Sequence, residues 1–153
     1  MNRRDWLQLT FAGLTTTVLS RSALGAPRAT RVSVYKSPTC GCCSAWIEHM
    51  KKNGFAVEAH DVGDDMLGEV KTTAGVPMAL RSCHVALAGA YAFEGHVPAD
   101  QVKKVLTTKP KLAGLAVPGM PAGSPGMEMG TQKEHYQVMA FDRAGKSWVF
   151  ASL

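Results

Sequence analysis

Arg31-Val32-Ser33-Val34-Tyr35-Lys36-Ser37-Pro38-Thr39-Cys40-Gly41-Cys42-Cys43 decides how this chain is read. Val32 and Val34 alternate with polar neighbours over residues 31–35, the period of a short strand. Ser37-Pro38-Thr39 turns the chain, and Cys40-Gly41 leads into a helix predicted over residues 42–52. Three of the four cysteines therefore fall at one strand-to-helix junction, while the fourth, Cys83, is followed directly by His84. Three thiols this close cannot all enter structural disulfides, because neighbouring side chains diverge and bridge geometry is demanding. They suit either a redox pair, Cys40 with Cys43, accompanied by a spare thiol, or a cluster of soft metal ions.

Outward from this junction, Asn53-Gly54 supplies a helix stop, since glycine tolerates the left-handed conformation there. Residues 55–59 read as a second strand, 61–73 as a weaker helix and 78–81, after Gly75-Val76-Pro77, as a third strand. Residues 85–89 complete or extend that region, 89–94 turn into a fourth strand, and 98–107 form a helix with Pro98 near its first turn. This order matches a thioredoxin-like α/β arrangement, with thiols opening the first helix and a cis proline, at Pro77, beside them. Residues 112–130 are rich in Gly and Pro yet carry Met120, Met127 and Met129, and read as a long loop. A β-hairpin over 135–141 and 147–150, turning at Ala144-Gly145, closes the chain.

The first twenty-five residues have the form of an export signal. A basic start with Arg3-Arg4 precedes an uncharged run over 7–20, and Ala23-Leu24-Gly25 is a small-x-small pattern suited to cleavage before Ala26. The run is too short and too rich in threonine to span a bilayer. The paired arginines resemble a twin-arginine signal, with a general secretory leader as the alternative. Residues 26–153 then form one metal-binding domain outside the cytoplasm, in the periplasm, with no membrane attachment. Of the net charge of +5, Arg3, Arg4 and Arg21 against Asp5 account for +2, leaving +3. The remaining lysines are scattered instead of interleaved with aromatics, which excludes a nucleic-acid partner.

Cys40 and Cys43 sit where the unpaired amides of a helix start favour thiolate. That serves attack on a disulfide and binding of a soft ion alike. Cys42 tips the balance toward metal, because a third thiol offers a redox pair competing partners but can bridge neighbouring ions. With Cys83 it makes a set suited to Cu(I), zinc or iron–sulfur. Met50, Met78 and Met139 read as core. Met120 and Met127, flanked by Gly and Pro, are candidate thioether ligands for Cu(I). His84 is the best-placed imidazole. His49 either approaches the thiols or faces water, His96 orders the loop before the last helix, and His60 and His135 read as surface groups. No His-Glu-x-x-His or paired carboxylates point to a catalytic site of hard ligands.

The motifs Ser37-Pro38-Thr39-Cys40-Gly41-Cys42-Cys43 with Trp46 and His49, Gly75-Val76-Pro77, Ser82-Cys83-His84, Glu94-Gly95-His96-Val97-Pro98-Ala99, and Gly114-Leu115-Ala116-Val117-Pro118-Gly119-Met120-Pro121 with Gly123-Ser124-Pro125-Gly126-Met127-Glu128 together resemble the CopG family of exported bacterial copper-resistance proteins. The resemblance implies a thioredoxin-like fold whose cysteines, here Cys40, Cys42, Cys43 and Cys83, hold several Cu(I) ions. It also implies periplasmic copper handling with Cu(I)/Cu(II) interconversion, and other periplasmic copper-handling proteins as candidate partners. A thiol–disulfide oxidoreductase using Cys40 and Cys43 is the alternative.

Overall fold

A computed structural model describes residues 29–128 and 130–153; the export-signal reading and Met129 lie outside them. Strand β1 (Arg31–Lys36) runs into helix α1 (Gly41–Lys52), which returns to β2 (Ala56–Asp61) alongside β1 and parallel to it. Helix α2 (Asp64–Thr73) leads to a 3-10 turn at Met78–Leu80, the antiparallel hairpin β3 (His84–Ala88) and β4 (Tyr91–Gly95), and helix α3 (Ala99–Thr108). Three further strands, β5 (Gly114–Val117), β6 (Gln137–Phe141) and β7 (Ser147–Ser152), complete a seven-stranded mixed sheet ordered β2-β1-β3-β4-β5-β6-β7. The stretch from β1 to α3 is the thioredoxin-like arrangement read from the sequence, extended at the β4 edge by three strands.

Alternation along the strands builds two cores. In α1, Cys43, Trp46, Ile47 and Met50 recur at helical spacing and are all buried. Trp46, Ile47 and Met50 meet Val32, Val34, Ala86 and Phe93 from the sheet and Val102 and Val105 from α3. Each such apolar side chain contributes about 1.5–3 kcal/mol by leaving water. On the opposite sheet face Leu67 of α2 packs with Val85, Ala92, Ala116 and Phe141. The end of β1 and the start of α1 bring Cys40 and Cys42, half-buried, and Cys43, buried, to one corner of the fold. Among the described residues no helix is long and apolar enough to cross a membrane.

Four expectations are corrected. Residues 78–81 do not form a strand: Leu80 N–H bonds back to the Pro77 carbonyl and Arg81 N–H to that of Met78. The segment thus satisfies its own polar groups in a turn, and the sheet position beside β1 goes to His84–Ala88. Met78 on that turn is 75% exposed, so it is not core, and no peptide bond among the described residues is cis, Pro77 included. The expected loop over 112–130 contains a strand, because the apolar run Leu115-Ala116-Val117 pairs in parallel with β4 and is fully buried. Met50 is core as read, Met139 packs against the second core, and the closing hairpin turns on Asp142, whose carboxylate accepts from Ala144 N and Lys146 N at 2.9 Å each.

Candidate metal centre

Cys40 caps α1, its sulfur accepting from the Cys43 amide at 3.3 Å. Cys40 and Cys43 are joined as a disulfide with Cα atoms 5.4 Å apart, the one bridge the sequence spacing allows; Cys42 and Cys83 are free thiols. The Cys42 sulfur lies 3.5 Å from that of Cys40. Cys83, immediately before β3, completes the group, and the four sulfurs lie within 4.8 Å of one another. The four thiols named from the sequence thus come together in space, two of them joined as a disulfide.

Cys83 belongs to a second donor set as well. Its sulfur is 3.2 Å from Nδ1 of His84 and 3.2 Å from Nε2 of His96. The hairpin register explains the juxtaposition: Val85 pairs with Glu94, so continuing outward sets His84 opposite Gly95 and Cys83 opposite His96. Both imidazoles are buried, His84 beneath the Trp46 ring at 4.6 Å, with the Trp46 indole N–H held by the Val97 carbonyl at 2.9 Å. His96 was read only as ordering a loop. It does so, since its Nδ1 donates to the Pro125 carbonyl at 2.7 Å. A carbonyl can only accept, so this bond puts the proton on Nδ1 and leaves Nε2 with a free lone pair toward Cys83.

The electrostatics of this corner oppose charge until a cation arrives. Burial and the nearby Cys42 push the Cys83 thiol up to about 12. Burial holds His84 well below the ordinary histidine range, with His96 and Lys71 adding to the effect, and burial lowers His96 against the opposing pull of Pro125. Neutral imidazoles are the form that binds metal, and Nε2 of His84 has no protein partner although fully buried. A soft cation here would meet the free Nε2 lone pair of His96 without displacing its proton, and would itself draw the proton from Cys83.

The segment after β5 straps across this corner. The Gly119 carbonyl accepts from Ser82 Oγ at 2.6 Å, Pro125 holds His96, and Gly126 lies against the first turn of α1. A Cβ on Gly126 would sit 2.7 Å from Trp46 N and 2.9 Å from the Cys42 carbonyl, and its φ of +85° is left-handed, so only glycine fits. These attachments are all main chain. Met120 is 53% exposed and Met127 half-buried. His49 joins neither donor set, nor does it merely face water: its Nε2 accepts from Ala99 N at 3.1 Å, capping α3. His60 stacks on Tyr35, and His135 is exposed.

A family model described as "Protein of unknown function, DUF411" matches residues 80–127, from the end of the 3-10 turn into the first half of the strap. No curated protein sequence matches the chain. Two solved structures do, "Copper resistance protein copG" in forms 1 and 2. Each is 42% identical and aligns over 82% of this chain and 98% of its own, with TM-scores of 0.76 and 0.75. With that identity extending over almost the whole of the solved relatives, and with the four thiols converging in space as the motifs required, the chain belongs to the CopG family.

Proposed function

We propose that this is an exported copper-binding protein of copper resistance, holding several Cu(I) ions on Cys40, Cys42, Cys43 and Cys83, with His84 and His96 on one flank. The observation that carries the reading is that Cys83 is common to a four-sulfur set and a sulfur–imidazole set, each within 4.8 Å. A thiolate can bridge two ions, so one shared sulfur joins the sets into a multinuclear site. Soft donors select Cu(I), zinc or iron–sulfur, and the copper resistance named for the 42%-identical structures favours copper among these. Met120 and Met127 are the thioether ligands, a role supported by the strap's approach to Cys42 and His96. Residues 1–25 direct export and 26–153 form the thioredoxin-like metal-binding domain, working in the periplasm on copper passed among copper-handling proteins. Cu(I)/Cu(II) cycling on the bound copper is a further role of the site, with the electron passed to or from an external one-electron redox partner. Opening the Cys40–Cys43 bond with a thiol reductant takes two electrons and two protons and returns both sulfurs to the set.

The test is anaerobic reconstitution of the reduced protein with Cu(I), followed by desalting and assay of copper and free thiol together. Three or more coppers per chain with shielded thiols, and loss of binding on Cys42→Ser, are expected. The disulfide itself favours a second reading, a thiol–disulfide oxidoreductase. One copper or fewer, together with reductase activity that survives Cys42→Ser and vanishes in Cys40→Ser, would select that reading instead.

A further inference from the structure

Beneath the site, on the α2 face of the sheet, lies an ion pair that the metal chemistry does not use. Glu94 is 0% exposed and Lys71 4% exposed, and Lys71 Nζ lies 2.7 Å from Glu94 Oε1. Both charges close on one residue. Ser82 N–H donates to Glu94 Oε1 and Lys71 Nζ donates to the Ser82 carbonyl, each at 2.5 Å. The Ser82 side chain is tied in turn to Gly119, and Gly95 packs so tightly beside it that a Cβ there would lie 2.9 Å from Ser82 Cβ.

Ser82 is not part of the strand, since β3 begins at His84. Left to the sheet alone, its amide and carbonyl would be unpaired and Cys83 would hang from a frayed end. A buried ion pair contributes little net stability and can often be replaced by apolar residues without loss. What an apolar pair cannot do is bind both polar groups of one loop residue. We propose that Lys71 and Glu94 are positioning residues: they fix the Ser82 main chain from the far side of the sheet and so hold the Cys83 sulfur between the α1 thiols and the two imidazoles. This rests on the copper-binding reading for its purpose, but its geometry is tested without copper.

The experiment compares wild type with Lys71→Met/Glu94→Leu, which strips Ser82 of both partners, and Lys71→Met/Glu94→Gln, whose amide returns an acceptor and a donor without charge. Alkylation of Cys83 by iodoacetamide in the metal-free protein is followed by mass spectrometry of its peptide, with far-ultraviolet circular dichroism as the fold check. The apolar pair should speed alkylation at least tenfold and lower the bathocuproine concentration needed to strip Cu(I) at least tenfold. The Gln variant should stay within about twofold of wild type. Equal alkylation in all three proteins, or equal acceleration in both variants, overturns the proposal. If a variant fails to fold, hydrogen exchange of the wild-type Ser82 amide decides: exchange as slow as in β3 is expected, and exchange at the rate of exposed loop amides refutes the clamp. Failure of wild type to bind Cu(I) would remove the copper reading and leave the clamp standing.

Discussion

Replacing Gly126 with alanine should unfasten the strap while leaving the sheet intact. Left-handed backbone costs a side-chain-bearing residue about 1–2 kcal/mol. The new Cβ would also meet Trp46 N at 2.7 Å and the Cys42 carbonyl at 2.9 Å, well inside the ~3.5 Å contact optimum. Those atoms belong to the main chain of α1 and cannot give way, so the strap must. Its retreat breaks the His96–Pro125 hydrogen bond, a loss of about 0.5–1.5 kcal/mol. That bond is present in the closed strap of both proteins, so the shift comes from the strain alone: about 1–2 kcal/mol, or roughly 5- to 30-fold toward the open strap, with the main-chain overlap adding to it. A domain stable by about 5–15 kcal/mol survives that. Limited proteolysis within residues 121–134 reads the opening directly, and urea unfolding reads the remainder. Copper retention against a chelator should fall in parallel, because His96 loses the carbonyl that fixes its tautomer. Wild-type proteolysis rate and wild-type urea midpoint together would refute the reasoning, since they would mean that the strap does not bear on α1.

Three further outcomes are expected. Copper bound per chain should rise when the Cys40–Cys43 disulfide is opened with a phosphine before anaerobic loading; equal loading of oxidised and reduced protein would exclude those two sulfurs as ligands. Leucine at both Met120 and Met127 should preserve the circular dichroism spectrum but weaken copper retention, and unchanged retention would reduce the strap methionines to packing. His49→Leu removes the cap on α3 and should cost about 1 kcal/mol near neutral pH, without changing copper stoichiometry. Burial lowers the His49 pKa, reinforced by Lys103 and Lys52 and opposed by Glu128 and Asp100. The cap's stabilisation is therefore complete above the ordinary value of about 6.5 and fades as pH falls through the lower folded value. The gap between wild-type and variant urea midpoints should narrow from about pH 7.5 to about pH 5, and a gap that did not change with pH would argue against a neutral acceptor.

The first half of the fold was legible because its signals are local. Val32 and Val34 alternate, Trp46, Ile47 and Met50 repeat at helical spacing, and Asn53-Gly54 ends the helix, each readable within a few residues. Cys40, Cys42 and Cys43 group for the same reason, whereas Cys83, forty residues on, joins them only through the fold. The errors arose where structure depends on a distant partner. Met78 looked apolar enough for a strand, but after Pro77 the chain closes a 3-10 turn and the strand begins six residues later. Residues 114–117 are too few for a periodicity to register, and they become a strand only by pairing with β4. His96 was the costliest omission, yet a signal for it existed. A two-residue turn at Gly89-Ala90 fixes the hairpin register, and counting outward from it brings His96 opposite Cys83. No such count could have found His49 capping a helix that starts fifty residues further on.

The strap is fastened at both ends, running over residues 118–136 from the end of β5 to the start of β6. Any group it carries is therefore tethered, meeting the neighbouring residues at an effective concentration set by the length of the loop and not by the amount of protein in solution. Closing a loop of this size is an entropic cost already met by the strands at its ends, and it changes only slowly with length. A segment tethered in this way can break and re-form its contacts many times without diffusing off. A single cut within it would leave every donor atom in place and yet end that advantage, turning a rapid return into a search by two loose ends.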